Sequence, residues 1–161
     1  DYLRSGINLI QANINNIQIN EAKEVIPMID IQYTIETEQY GNKTGNRLFI
    51  PANIFRKGFT TPDLKQRVQD IHINYGYLDT DSICLQIPEG YTIESLPKTC
   101  QVTSSFGSFS SSLMIKDKEI CIIHRLLMHR GIYPKEIYKD FLEFRKQIAA
   151  QYSSKIILKK E

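Results

Sequence analysis

"DIHINYGYLDTDSICLQIPEGYTIESLP", residues 70–97, places apolar side chains at every second position through two runs and then meets Pro88 and Gly90. Ile71, Ile73, Tyr75 and Tyr77 share one face against Asp70, His72, Asn74 and Gly76, and Ile83, Leu85 and Ile87 repeat the pattern. Side chains alternate between the faces of an extended chain, so this spacing predicts half-buried strands. Asp79 to Ser82 are turn-forming residue types, as are Pro88, Glu89 and Gly90. Tyr91 and Ile93 then begin a short third strand that Pro97 stops. The stretch reads as a meander of three strands and two turns, and its spacing asks for no active site.

Working outward, Ile29, Ile31, Tyr33 and Ile35 oppose Asp30, Gln32, Thr34 and Glu36, the signature of a strand with one wet face. It runs into "YGNKTGNRLFIP" (40–51), whose Gly41, Asn42, Gly45 and Asn46 predict a hairpin closing near residue 50, with Pro51 ending the second strand. Further strands are expected at about 7–20, 100–105, 109–116, 119–129 and 154–159, with "KDK" at 116–118 as a hairpin turn. Residues 120–128 are apolar on both faces except at His124 and Arg125, which predicts a central strand covered on both sides. Residues 51–67 lack periodicity and read as a long surface connection. In "YPKEIYKDFLEFRKQIAAQY" the period changes: Ile137, Phe141, Phe144, Ile148 and Tyr152 fall at helical spacing, and Pro134 and Glu136 suit a first turn, predicting a helix over about 134–152. The fold class is mostly β, an antiparallel two-sheet β-sandwich with one C-terminal helix set against an open face or edge.

A chain of 161 residues suits a single domain, 1–161. With 42% apolar and 24% charged residues the composition is globular, and no apolar run approaches the ~20 residues of a membrane helix. Twenty Lys and Arg against eighteen Asp and Glu, scattered along the chain, give +2, which favours neither nucleic acid nor an acidic membrane surface. The first residue is Asp1, and no charged head followed by an apolar stretch is present, so the chain is expected to be a processed product or an excised piece.

Candidate chemistry is sparse. His72, His124 and His129 sit in no metal-ligand spacing, and on a strand His124 and His129 point to opposite faces. Cys84, Cys100 and Cys121 are widely and irregularly spaced; they form neither a zinc pattern nor a complete disulfide framework, although one pair could bridge. A cysteine nucleophile would need an imidazole and an orienting acid beside it, and nothing in the order of residues assembles them. Asp79, Asp81 and Glu89 near a turn offer oxygen ligands, but the calcium-loop signature is absent. No catalytic residue, metal or cofactor is therefore expected. "SSFGSFSSS" (104–112) sets Phe106 and Phe109 about Gly107, which permits a sharp bend or a close approach. If exposed, Phe106, Phe109 and Tyr133 would make an interaction surface for sugar or peptide; the plainer expectation is that the phenylalanines fill the core. Asn42-Lys43-Thr44 matches a glycosylation sequon, a pattern frequent by chance.

Four pieces in order, "QDIHINYGYLDTDSICLQIPEGYTIESLP", "SSFGSFSSSLMI", "IIHRLLMHRGIYPKEIYKDFLEFRKQI" and "KIILKK", carry a resemblance over about residues 68–159. They resemble the C-terminal domain of unknown function that follows the transglutaminase-like core in large exported proteins of Gram-negative bacteria. Residues 1–67 look like the strands that join the papain-like core to this module. The resemblance implies a non-catalytic accessory domain, periplasmic or at the cell surface, whose partner is the transglutaminase-like core of the same polypeptide and which packs on that core or presents a peptide or glycan to it. No stretch here resembles the core itself, so no catalytic residue carries over. An independent carbohydrate- or protein-binding module working through Phe106, Phe109 and neighbouring tyrosines is the alternative, and it requires those rings to be exposed.

Overall fold

The computed structural model describes residues 6–7, 9, 11–23, 25, 27–38, 40–55, 61–65 and 67–161. In chain order the strands are β1 (Asn13–Ala22), β2 (Met28–Glu36), β3 (Asn42–Thr44), β4 (Arg47–Pro51), β5 (Ile71–Ile73) and β6 (Tyr77–Gln86). They are followed by β7 (Tyr91–Ser95), β8 (Cys100–Ser104), β9 (Gly107–Lys116), β10 (Glu119–Met128) and β11 (Gly131–Tyr133). A 3₁₀ turn, Lys135–Ile137, then leads into the helix α1 (Tyr138–Tyr152), and β12 (Lys155–Lys160) closes the chain. The described strands form four antiparallel sheets, ordered β1-β2, β6-β10-β9-β8, β11-β5 and β3-β4-β12-β7. The class is the one the sequence predicts: mostly β, sandwich-like, with one C-terminal helix. No helix among the described residues is long and apolar enough to cross a membrane.

The β9–β10 hairpin is the spine. Asp117, at φ 53°, makes the tight turn between Lys116 and Lys118, a conformation that Asp tolerates better than most residues. Along β10, Ile120, Ile122, His124, Leu126 and Met128 face inward and are buried. Two cores share this row. At one end Leu126, Met128 and Phe109 pack with Tyr138, Leu142, Phe144 and Ile148 of α1. At the other, Ile120 and Ile122 pack on Ile50 of β4 and on Ile156 and Leu158 of β12. Helix and second sheet thus cover the two halves of one face, and His124 sits where they meet. The opposite face is open, with Ile123, Arg125 and Leu127 exposed, so the expectation that 120–128 is covered on both sides fails. β10 is central within its sheet, but the layer that would cover the outer face is absent among the described residues.

Gly107 shows why "FGSF" can turn so tightly. Its φ is 148°, and an added Cβ would lie 1.9 Å from the Leu127 carbonyl oxygen. Only glycine lets the start of β9 approach β10 that closely, and the approach drives Phe106 into the helix-side core. There Phe106 meets Tyr133 at 4.7 Å and Phe141 at 5.0 Å between ring centroids.

The pairings differ from the sequence reading in three places. Asp79 to Ser82 form no turn: β6 runs straight from Tyr77 to Gln86, and Asp79 and Asp81 take inward positions in the alternation. Turn-prone residue types gave the wrong signal because tertiary partners hold them extended. β5 consequently pairs with β11, and β7 with β12, so the three-strand meander does not form. β2 pairs back to β1, while β4 pairs with β3 and β12, so the hairpin expected to close near residue 50 is built from β3 and β4 alone. The strand expected at 7–20 begins at Asn13; Ile7 makes one isolated bridge to Phe55, and residues 8 and 10 lie outside the described residues. Of the connection at 51–67, residues 56–60 and 66 also lie outside them. The helix itself starts at Tyr138, four residues after the predicted start, its first turn being 3₁₀.

Cys84 and Cys121 stand directly opposite each other on β6 and β10 and form a disulfide, the pairing the sequence left open. The bond lies on the open outer face, with Cys84 exposed. Cys100 remains a free thiol, half-buried at the inner side of β8.

Candidate functional site

The register of the four-stranded sheet lines up Asp81 of β6, His124 of β10, Ser111 of β9 and Cys100 of β8 as one inward-facing row. Asp81, His124 and Ser111 are buried at 7, 0 and 5% exposure. Above them, the chain leaving β4 brings in Asn53, anchored by the Ala52 N–H donating to the Ser154 carbonyl at 3.0 Å. The Asn53 side-chain amide donates to Asp81 Oδ2 at 3.0 Å and faces His124 Nδ1 at 3.3 Å. Tyr152, from the last turn of α1, stands edge-on to the His124 ring at 5.0 Å between centroids, and Phe109 lies 5.8 Å from it.

Hydrogen-bond logic sets the imidazole's state. Asn53 Oδ1 accepts the Phe55 N–H at 2.7 Å, which fixes the amide so that its NH₂ group points at Asp81 and His124. An amide NH₂ only donates, so a neutral His124 imidazole accepts this contact at Nδ1 and carries its ring proton on Nε2. A Ser-His-Asp hydrolase needs the reverse: Nδ1–H donating to the acid and a bare Nε2 to take the serine proton. The three residue types of a triad are therefore neighbours in this row, but Asn53 stands against Nδ1, where a triad places its acid, and the row is buried.

The surroundings reinforce burial. The Tyr152 phenol is pushed well above the ordinary tyrosine range, first by desolvation and then by the charges of Asp81 and Asp79. Burial lowers the Arg145 guanidinium, partly offset by the Tyr77 hydroxyl, and Arg145 Nε donates to Thr61 Oγ1 at 3.3 Å. Burial also raises the Cys100 thiol, against the lowering effect of a hydrogen bond with the Ser111 backbone, which makes it a poor nucleophile at neutral pH.

The residues singled out in the sequence fall as follows. Phe106 and Phe109 are 0 and 1% exposed, and Tyr133 is half-buried against Phe106. Gly107 turns both phenylalanines inward beneath α1, so neither offers a ring to a ligand, while Tyr133 keeps part of its surface. Asp79 and Asp81 lie within β6 while exposed Glu89 lies beyond its end, so the turn read from these residues is not formed. Cys84, Cys121 and Glu119 cluster, but the two sulfurs are bonded to each other and supply no thiolate ligands. His72 and His129 are exposed on separate segments; His72 joins Asn74, Tyr75, Arg130 and Ile132 around an open groove of ≈ 360 Å³. The buried row itself was not anticipated. Its one legible trace was His124, the lone polar residue among the inward positions of β10.

No curated protein and no solved structure is similar enough to this chain to match it. Residues 46–158 match a family model described as a domain of unknown function with solved-structure structure, DUF3858. The match begins just before β4 and ends within β12, taking in both cores and the buried row. It covers well over half of the sequence, and the chain belongs to the DUF3858 family.

Proposed function

We propose that the chain is a non-catalytic accessory module of an exported protein with a transglutaminase-like core, where it packs on that core or presents peptide or glycan substrate to it. The observation that carries this reading is the setting of His124: its Nδ1 lies 3.3 Å from the Asn53 amide and the ring is sealed from solvent. The Cys84–Cys121 disulfide supports export, since such bonds persist in oxidising compartments. The open outer face of the β6-β10-β9-β8 sheet supports packing against a further domain. Calorimetric titration of the module into the separately produced core of the same polypeptide tests it. Saturable binding is expected, and absence of heat at the highest accessible concentrations removes the reading. An independent binding module is a second reading, moved away from Phe106 and Phe109. Tyr75, 81% exposed beside Arg130 in the open groove, is the observation that favours it. It requires peptide or glycan binding that Tyr75→Ala abolishes, without any binding to the core.

A further inference from the structure

The β1–β2 ribbon pairs with no other strand among the described residues. Its sequence, Ile14, Ile17, Ile19, breaks strict alternation, and the structure answers with a bulge between Asn15 and Gln18 in which Asn16 takes φ 54°. The bulge absorbs the odd residue and returns all three isoleucines to one face. Ile35 and Ile31 lie directly opposite Ile14 and Ile19, and Ile29 and Tyr33 continue the same row along β2. Gln18, Asn20, Asp30, Gln32 and Thr34 take the other side. On the apolar side Ile17, Ile19 and Ile29 are 51, 60 and 65% exposed, Ile14, Ile31, Tyr33 and Ile35 are half-buried, and Glu21 lies opposite Ile29. An isolated two-stranded ribbon is marginal in water, and exposed isoleucines along one side of it suit a partner.

We propose that this isoleucine face docks onto an apolar surface rimmed by basic side chains on another domain of the same polypeptide. The inference rests on the accessory-module reading and adds to it the docking face and the chemistry of what it meets. Area and charge choose the occupant. Nine residues at about 3.3 Å on two strands about 4.8 Å apart present roughly 300 Å² in projection. A free-standing complex needs about 800 Å² from each partner, so the ribbon suits a partner held at the ~mM effective concentration of a tether. Between residues 11 and 40 the sequence carries Glu21, Glu24, Asp30, Glu36 and Glu38 against Lys23 alone, a charge of −4 within a chain of +2, leaving +6 elsewhere. Two copies apposed through this segment would set −4 against −4, which disfavours a second copy; a basic rim complements it.

Amide hydrogen exchange over residues 13–36 tests this, comparing the 161-residue chain with the intact polypeptide, each with and without Ile19→Thr/Ile29→Thr. Threonine keeps the branched, strand-forming shape and removes the apolar surface. The ribbon is expected to exchange at least tenfold more slowly in the intact protein, the double variant to lose that protection, and amides of 119–128 to be unaffected. Sedimentation should find the 161-residue chain monomeric. A concentration-dependent dimer abolished by Ile19→Thr/Ile29→Thr overturns the inference in favour of a second copy. Equal ribbon exchange in the two settings overturns it as well. In that case, calorimetric binding to the core that persists shows the accessory reading standing without this face, and loss of that binding too removes both.

Discussion

Replacing Asn53 by alanine probes the residue on which the reading of His124 turns. The side chain makes a 3.0 Å hydrogen bond to a buried carboxylate and accepts a 2.7 Å bond from the Phe55 N–H. The first, involving a charged group, is worth about 1.5–3 kcal/mol, and the second about 1 kcal/mol. Asn53→Ala should therefore cost roughly 3 kcal/mol, a large share of the ~5–15 kcal/mol that holds a domain together. Asp81→Ala removes the same bond from the other side. If the two side chains are coupled as the geometry states, the double variant should be more stable than the sum of the single losses predicts, by about 1–2 kcal/mol. Urea unfolding of the four proteins measures the cycle, and nitrogen-15 spectra of the imidazole read the tautomer directly. The wild type should show a bare Nδ1 and a protonated Nε2. Losses that add to within ~0.5 kcal/mol, or a protonated Nδ1, would refute the argument and return His124 to the list of candidate bases.

Gly107→Ala should cost roughly 3–5 kcal/mol in urea unfolding, from overlap with the Leu127 carbonyl and a disfavoured φ together. Gly90→Ala, at φ 74° with nothing within 4 Å, is the control and should cost only about 1–2 kcal/mol. Cys84→Ser/Cys121→Ser opens a link across a sequence separation of 37 and should lose about 4 kcal/mol on the chain-entropy estimate, while thiol labelling of the unfolded, unreduced protein should find one free cysteine rather than three. Tyr152 is held neutral in the fold, its pKa raised above the unfolded value of about 10, so its contribution to stability is complete below that pH and fades as pH rises through the folded value. Tyr152→Phe should therefore flatten the loss of stability above pH ~10, and an unchanged slope in alkaline unfolding would count against the assignment.

Local periodicity was enough to place strands at 91–95, 100–104 and 119–128, the turn at 116–118 and the body of the helix, because each is fixed by side-chain alternation, turn chemistry or an apolar stripe. Pairing was not legible, since alternation says which face is buried and not which strand lies alongside. β5 illustrates this: Ile71 and Ile73 predict a strand correctly, but their partner is β11, some 60 residues on, brought back by the β9–β10 hairpin. The site was hidden for a related reason. Asp81 looks like a turn residue until Asn53 is known to sit over it, and the two are 28 positions apart, with His124 a further 43 beyond Asp81. Phe106 and Phe109 could be read either as core or as surface from the sequence, and the close approach at Gly107 decides for the core.

How the molecule treats its strand edges separates the closed parts from the open ones. β6, an edge strand of ten residues, turns Asp79 and Asp81 inward, an arrangement hostile to another strand sliding alongside. The remaining edges of the two larger sheets, β8, β3 and β7, are only five, three and five residues long. The β1–β2 ribbon has none of these protections: strands of ten and nine residues, two outer edges, and Ile17, Ile19 and Ile29 exposed to water. A chain that blunts its other edges and leaves this one long fits the proposed docking of the ribbon on a further domain. Asn53, Asp81 and His124 meanwhile engage one another where the two cores meet, a sealed interior set against an exposed ribbon.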